Sequence, residues 1–320
     1  MSESPTVIAR ARVAWVERPC PTFARVAFRG PELEWFGTPG RTFDQRIKVI
    51  FPPHAGDLPD LAPDTWYPEW LELPEEARGA MRTYSIRDVC VDATGTEVVV
   101  DFVLHLAPGT SGPAALWASG ARAGDEVLLV GPRRGRLDGG GIEFDPGAAP
   151  RVLLAGDETA APAIARILED APHDLVGDAF IEMPGDGERL DIRAPRGVEL
   201  RWLSRFSEAP GSALVPSVLA SLGTSAAALE GYGQRGVGSS VEGLTGAGEP
   251  AGDELLWETP SFSGLGEPLD AARERGERYY WIAGESSVVT RLRRHLVRDL
   301  GVSRHQVAFM GYWREGVAMR

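Results

Sequence analysis

The stretch Met81-Arg82-Thr83-Tyr84-Ser85-Ile86-Arg87-Asp88 brings several kinds of chemistry into one short segment. Alternating side chains with β-branched and aromatic character predict a strand, with Arg82, Tyr84 and Ile86 facing one way and Thr83, Ser85 and Arg87 the other. An arginine can fork onto an anionic pyrophosphate, and a phenol ring can lie against a flat heterocycle. A serine hydroxyl or its backbone can hydrogen-bond the ring edge where redox protons come and go. Those are the needs of a flavin dinucleotide. The same letters also fit a surface strand with a solvated arginine and a packed tyrosine.

Other candidates lie around this stretch. Lys48 is the single lysine among 33 basic residues and sits mid-strand in Asp44-Gln45-Arg46-Ile47-Lys48-Val49-Ile50-Phe51. Alternation puts Arg46, Lys48 and Ile50 on one face, where a compact ammonium suits an anionic ligand or simply reaches solvent. Gly112-Pro113, followed by Ala114 to Ser119, looks like a short helix start whose backbone N–H groups can receive a phosphate. Arg133 and Arg134, in the turn Gly131-Pro132-Arg133-Arg134-Gly135-Arg136, form a basic rim or a solvated loop. Arg151 to Ala155, Gly156-Asp157-Glu158-Thr159 and Ala160 to Asp170 read as strand, turn and helix, half of a βαβ unit. Thr159 is the better phosphate donor there. Asp157 and Glu158 would repel phosphate if they pointed inward, and serve as caps or reach ribose hydroxyls.

The elements that must position these residues fall into two halves. Val7–Val16, Phe23–Arg29, Gln45–Phe51, Arg82–Arg87, Glu97–His105 and Glu126–Val130 are short strands bounded by Pro, Gly or Asp, which suggests a six-stranded antiparallel β-barrel. Pro52 to Ala80, rich in Pro, Trp and acid, is an excursion long enough to lid a pocket. Asp138 to Pro150 reads as a linker, giving domains at 1–148 and 149–320. In the second half, strands at Ala179–Met183, Glu199–Leu203, Tyr279–Ala283 and Val307–Met310 alternate with helices at Ala213–Leu222 and Ser286–Leu300. A Rossmann-like parallel-sheet domain follows. Gly231-Tyr232-Gly233-Gln234-Arg235-Gly236 matches G-x-G-x-x-G but follows no strand, and lies in a Gly/Ser/Ala/Glu stretch read as a flexible insertion at about 223–252.

Composition bounds the partners. A net charge of −13 argues against nonspecific binding to nucleic acid or anionic membranes, so an anionic ligand needs a locally basic pocket. Cys20 and Cys90 alone exclude a four-thiolate iron–sulfur cluster. No basic segment leads into an apolar stretch at the start, and Ser212 to Leu229 is broken by Pro216 and Gly223. A soluble, cytoplasmic, monomeric protein is the expectation.

Taken in order, the Arg82–Ser85 motif, Asp101-Phe102-Val103-Leu104-His105, Gly112–Ala118, Leu153–Ala160, Trp281-Ile282-Ala283-Gly284-Glu285 and Gly311-Tyr312-Trp313-Arg314 closely resemble the siderophore-interacting protein family. Its members are FAD-dependent ferric-siderophore reductases, a branch of the ferredoxin-reductase-like flavoproteins. The resemblance covers nearly the whole chain except roughly 223–252. It implies an FAD-binding barrel and an NAD(P)H-binding α/β half, with NADH, NADPH or reduced ferredoxin as electron donor and an anionic ferric siderophore as substrate. FAD contacts would come from Arg82, Thr83, Tyr84 and Ser85. His105 and Leu106 would lie beside the flavin, and Thr110, Ser111, Gly112, Pro113, Ala114 and Ala115 near the pyrophosphate. Asp157, Thr159, Tyr312 and Trp313 complete the cofactor set. Ala115 stands where family members usually carry a hydroxyl, so backbone amides, Thr110 or Ser111 would have to serve instead. Lys48 with Arg133 or Arg134 would meet the substrate. Two other readings predict different behaviour: a general flavin reductase or oxygenase reductase component, and a non-enzymatic siderophore-binding protein, which would be colourless.

Overall fold

The computed structural model describes residues 4–317 except 39, 54–56, 106–110, 137, 225–255, 260–261 and 264–275. The G-x-G-x-x-G match at 231–236 and most of the 223–252 stretch therefore lie outside the described residues. The chain divides into two compact units: Met1–Phe144 with Pro162–Ala171 and Leu190–Arg193, and Asp145–Ala161 with Pro172–Arg189 and Ala194–Arg320.

The first unit is built on an antiparallel sheet of seven strands: β1 (Thr6–Cys20), β2 (Phe23–Arg29), β3 (Arg46–Ile50), β4 (Met81–Ser85), β5 (Asp88–Asp92), β6 (Gly95–Val103) and β7 (Glu126–Pro132), in the order β4-β3-β7-β1-β2-β6-β5. The expected six-stranded barrel is thus a seven-stranded curled half-barrel. The added strand is β5, Asp-Val-Cys-Val-Asp, an edge strand whose residues are mostly exposed. Acid at both ends and little buried apolar surface suit an unpaired edge and hide it from a hydrophobic pattern. Curling is visible in the backbone after β4: Ile86 N donates to Gln45 O beside β3, and Arg87 N donates to Val99 O on β6, each at 2.8 Å. Alternate residues of the strands fill the concave core, including Ala9, Ala11, Val26, Phe28, Ile47, Val49, Val98, Val100, Phe102 and Leu129.

The Pro-rich excursion holds two short helices, α1 (Trp66–Glu72) and α2 (Glu75–Arg78). Trp70 is buried, donates Nε1 to Arg78 O at 2.8 Å and joins Ile50, Leu58, Leu128 and Val130 in a second apolar cluster. The excursion therefore covers the convex face of the sheet. It ends at Gly79, whose φ of +68° and approach to Phe51 O leave no space for a Cβ. The chain read as a linker is pinned to this unit: Asp44, fully buried, accepts N–H bonds from Glu143 and Phe144, and Arg46 N donates to Gly141 O.

Helix α3 (Pro113–Gly120) packs in the first unit, as does nearly all of α4 (Ala161–Asp170). The reason for the second is ionic. Arg87 forks onto Glu169 at 2.6 and 2.9 Å, and Asp170 accepts from Thr42 N and Phe43 N at 2.7 and 2.9 Å.

The second unit contains a seven-stranded sheet of β8 (Arg151–Gly156), β9 (Val176–Met183), β10 (Gly197–Ser204), β11 (Trp257–Thr259), β12 (Phe262–Ser263), β13 (Arg278–Glu285) and β14 (Val307–Trp313), ordered β10-β9-β8-β13-β14-β11-β12. Strands β10, β9, β8, β13 and β14 are parallel, while β11 and β12 run antiparallel at one edge. The sheet is mixed, not purely parallel. Strands β8 to β10 step one way and β13 returns on the other side of β8. A topological switch point results, where ligands of open α/β sheets lie at the carboxyl ends. Helices α5 (Leu214–Ser221) and α6 (Ser286–Arg293) supply Leu214, Val215, Val218, Val288, Val289 and Leu292 to the core. The helix expected to run to Leu300 loosens into a π-type segment at Arg294–Asp299.

Candidate functional site

In the first unit the site grows from the pairing of β3 with β4. Ile47 faces Tyr84 and Val49 faces Arg82, while Lys48 faces Thr83 and Arg46 faces Ser85. Because side chains alternate, the pleat separates the two expected sets. Arg82 and Tyr84 lie on the core side with Ile47 and Val49; Lys48 and Thr83 lie on the opposite side.

On the core side, the Tyr84 ring packs on Phe102 at 4.5 Å between centroids. Phe102 in turn meets Trp117 of α3 at 5.8 Å, and Phe51 meets the same indole at 5.1 Å. This aromatic cluster ties the Arg-x-Tyr-Ser strand to the body of α3. Tyr84 is half-buried, and loss of solvent raises its phenol pKa well above the ordinary value, so it is a neutral ring and a hydrogen-bond donor. Arg82 is half-buried too; burial lowers its pKa, the mark of a cation with part of its hydration removed. It donates to Met81 O at 2.7 Å.

Helix α3 begins with Gly112 as N-cap, Pro113 in its first turn and no side-chain cap. A Cβ at Gly112 would meet nothing within 4 Å among the described residues. Proline at the first position is pre-shaped for a helix start. A half-buried guanidinium, a neutral aromatic ring and an uncapped helix start fit the pyrophosphate and the flat ring of FAD. Arg82, Tyr84 and the amides of Ala114 and Ala115 are the groups that would hold it. His105 follows β6 and is half-buried. Leu106 and Thr110 lie outside the described residues.

On the opposite side Lys48, with Arg46, Trp66, Thr83, Gly131 and Gly139–Gly141, lines a pocket of about 220 Å³. Lys48 Nζ donates to Thr83 Oγ1 at 2.6 Å. Burial, then the neighbouring Arg46 charge, lowers its pKa. Arg133 and Arg134 do not join this pocket. Arg133 Nε donates to Ser4 O at 2.8 Å; Arg134 is turned onto Glu34 O and Thr96 Oγ1, the latter at 3.1 Å. The residues missed are Arg46 and Trp66. The alternation that put Arg46 beside Lys48 was the available signal; Trp66 had none, because its place depends on how the excursion folds back.

In the second unit Asp157 is the centre of a closed network. Its Oδ1 accepts from Thr159 N and Oγ1 at 2.9 and 2.5 Å, and its Oδ2 from Glu285 N and Trp313 Nε1 at 2.7 and 2.8 Å. Burial and the adjacent Glu158 charge push its pKa up to about 6. Thr159 and Asp157, both expected at the cofactor, thus bond each other, with Asp157 acting as the cap. Trp313 is fastened to Asp157, and Tyr312 stacks on Trp257 at 6.2 Å. Among the described residues no group of His, Cys, Asp or Glu is arranged to hold a metal ion. No described helix is long and apolar enough to cross a membrane.

The curled sheet followed by a switch-point α/β unit is the two-domain, ferredoxin-reductase-like fold. A ferredoxin–NADP+ reductase from Neisseria gonorrhoeae shares it at 14% identity, with a TM-score of 0.54 over 97% of this chain and 100% of that one. The chain belongs to the siderophore-interacting protein family. Residues 149–316 match the siderophore-interacting protein model, and residues 12–136 match the siderophore-interacting FAD-binding domain. A siderophore utilization protein from T. fusca is similar over 99% of this chain and 97% of its own, at 25% identity and a TM-score of 0.68. The ferric vibriobactin reductase of Vibrio cholerae is 32% identical over 185 residues, 57% of this chain and 60% of the relative. Matches to the curated relatives span about three-fifths of their length or less.

Proposed function

We propose that this protein is an FAD-dependent reductase of ferric siderophores, working in the cytoplasm as a monomer on an anionic iron chelate. Residues 1–148 form the flavin-binding half and 149–320 the half facing the electron donor, a reduced nicotinamide dinucleotide or reduced ferredoxin. The observation that carries the reading is the Arg82–Tyr84 face joined by aromatic packing to Trp117 of α3, a helix whose N-cap is Gly112, inside a domain of the siderophore-interacting FAD-binding type. The name of the Vibrio cholerae relative supports ferric chelates as the substrate class.

When bound, FAD accepts electrons in pairs and releases them singly to chelated iron. Arg82 and the α3 amides would hold its pyrophosphate, and the Tyr84 ring would shield the flat heterocycle from water. Ser85 offers a hydroxyl at the strand end. The substrate is the Fe³⁺ of a chelate whose hard oxygen ligands favour the ferric state, so reduction weakens their hold and frees Fe²⁺. Lys48 recruits the anionic chelate. Its partly dehydrated ammonium, beside Arg46, is a stronger point of attraction than a fully solvated lysine. Arg133 and Arg134, bonded to backbone and hydroxyl oxygens, contribute charge at longer range.

The test is steady-state reduction of a ferric chelate by the FAD-loaded protein and its Lys48→Met variant. Removing this charge should raise KM about ten-fold with flavin content and kcat kept. An unchanged KM would remove Lys48 from the substrate site.

A further inference from the structure

The carboxyl edge of the parallel strands in the second unit is where an α/β sheet of this topology receives a dinucleotide, its phosphates seated on helix N-termini. Here three of those seats, among the described residues, already hold an anion from the chain itself. At the end of β9, Glu182 is fully buried and accepts from Gly211 N at 2.7 Å and from Ala213 N and Leu214 N at 2.9 Å each, at the start of α5. At the end of β13, Glu285 caps α6 by accepting from Ser287 N at 2.7 Å and Val288 N at 3.0 Å. After β8, Asp157 takes the amide and hydroxyl of Thr159 and, across the switch point, the amide of Glu285.

Arg205, a cation at this edge, is itself engaged. Arg205 forks onto the fully buried Glu158 at 2.6 and 2.7 Å and lies 4.0 Å from Glu182. Asp157 is also packed tightly in place. Gly284 has φ +138°, and a Cβ there would come within 2.5 Å of Asp157 Oδ2, so the carboxylate is pressed against the backbone of β13. Asp157, Glu182 and Glu285 thus each already accept backbone amides at this edge, and Glu158 is held by Arg205.

We propose that this edge is closed to the pyrophosphate of a nicotinamide dinucleotide, with Glu182, Glu285 and Asp157 as the residues that set this specificity. Seating the pyrophosphate would require ejecting buried carboxylates from charge-assisted hydrogen bonds and placing a second anion beside them. The inference narrows the donor in the function proposed above to one that reduces the flavin without using this edge. The reading of the first unit as an FAD reductase does not depend on it.

The experiment is a titration of the isotope-labelled, FAD-loaded full chain with NADP+ and separately with NAD+, following the amide resonances of Thr159, Gly211, Ala213, Leu214, Ser287 and Val288. These resonances are expected to stay in place up to millimolar ligand, whether or not the dinucleotide binds elsewhere. A saturable shift of the Gly211–Leu214 or Ser287–Val288 amides with either ligand overturns the proposal. Loss of the flavin reading would show as failure to retain FAD, and the same titration of the flavin-free chain then still decides the point.

Discussion

Replacing Glu182 by alanine isolates one of these internal caps. The side chain is fully buried and accepts three backbone N–H bonds, two through Oε1 and one through Oε2. A hydrogen bond to a charged acceptor contributes about 1.5–3 kcal/mol. Alanine leaves Gly211 N and Leu214 N buried without an acceptor, and the vacated volume admits water that recovers part of the loss. The net cost should be about 3–5 kcal/mol. For a domain of this size that is a fall in Tm of roughly 10 °C. Glu182→Gln keeps one oxygen for Ala213 N and Leu214 N but turns an amide group toward Gly211 N, and should cost about half as much. Urea unfolding followed by far-UV circular dichroism measures both. An alanine variant within about 1 kcal/mol of the wild type would show that the α5 amides find other partners and that Glu182 does not hold this part of the edge.

Asp157 gives a pH signature. Its folded pKa, about 6, lies above the ordinary 3.8, so the folded chain binds this proton more tightly than the unfolded chain. The stabilising contribution is complete below about pH 4 and is lost as pH rises through about 6, a change of about 3 kcal/mol. The stability difference between wild type and Asp157→Asn should therefore fall by that order between pH 4 and 7.5. A difference that is flat with pH contradicts the raised pKa. In the first unit, Arg82→Ala should weaken FAD binding by ten-fold or more, from loss of a charge-assisted phosphate contact, while the unfolding midpoint of the flavin-free protein stays near wild type. Equal affinity for FAD by fluorescence titration would remove Arg82 from the site.

The alternation of β3 and β4 was legible because one face is buried against Phe102 and Phe51. The register places Arg82 and Tyr84 on one side and Lys48 and Thr83 on the other, as the period of two requires. The strand, turn and helix after Arg151 was legible for the same kind of reason, a continuous apolar run into a capped turn. Strand β5 was not, since Asp88 and Asp92 flank it and only Val89 packs on the core. The partners of charged residues were harder still. That Arg134 turns to Glu34 and Thr96, that Arg205 finds Glu158, and that Arg87 holds Glu169 depend on segments 38 to 100 residues apart. Local pattern carries no information at that range. The role of Asp157 is half legible: local pattern allows its carboxylate to cap the helix or to reach a ribose hydroxyl, and its bonds to Glu285 N and Trp313 depend on the parallel pairing of β8, β13 and β14.

The most direct measurement takes the purified chain, loads it with FAD, reduces the flavin anaerobically by light and mixes it with a ferric siderophore in the presence of a ferrous-iron trap. Retained yellow flavin, reoxidised by the chelate as Fe²⁺ appears at roughly two per flavin, is the expected result. A chain that cannot hold FAD, or a reduced flavin indifferent to the ferric chelate and reoxidised only by oxygen or free flavin, would contradict the account.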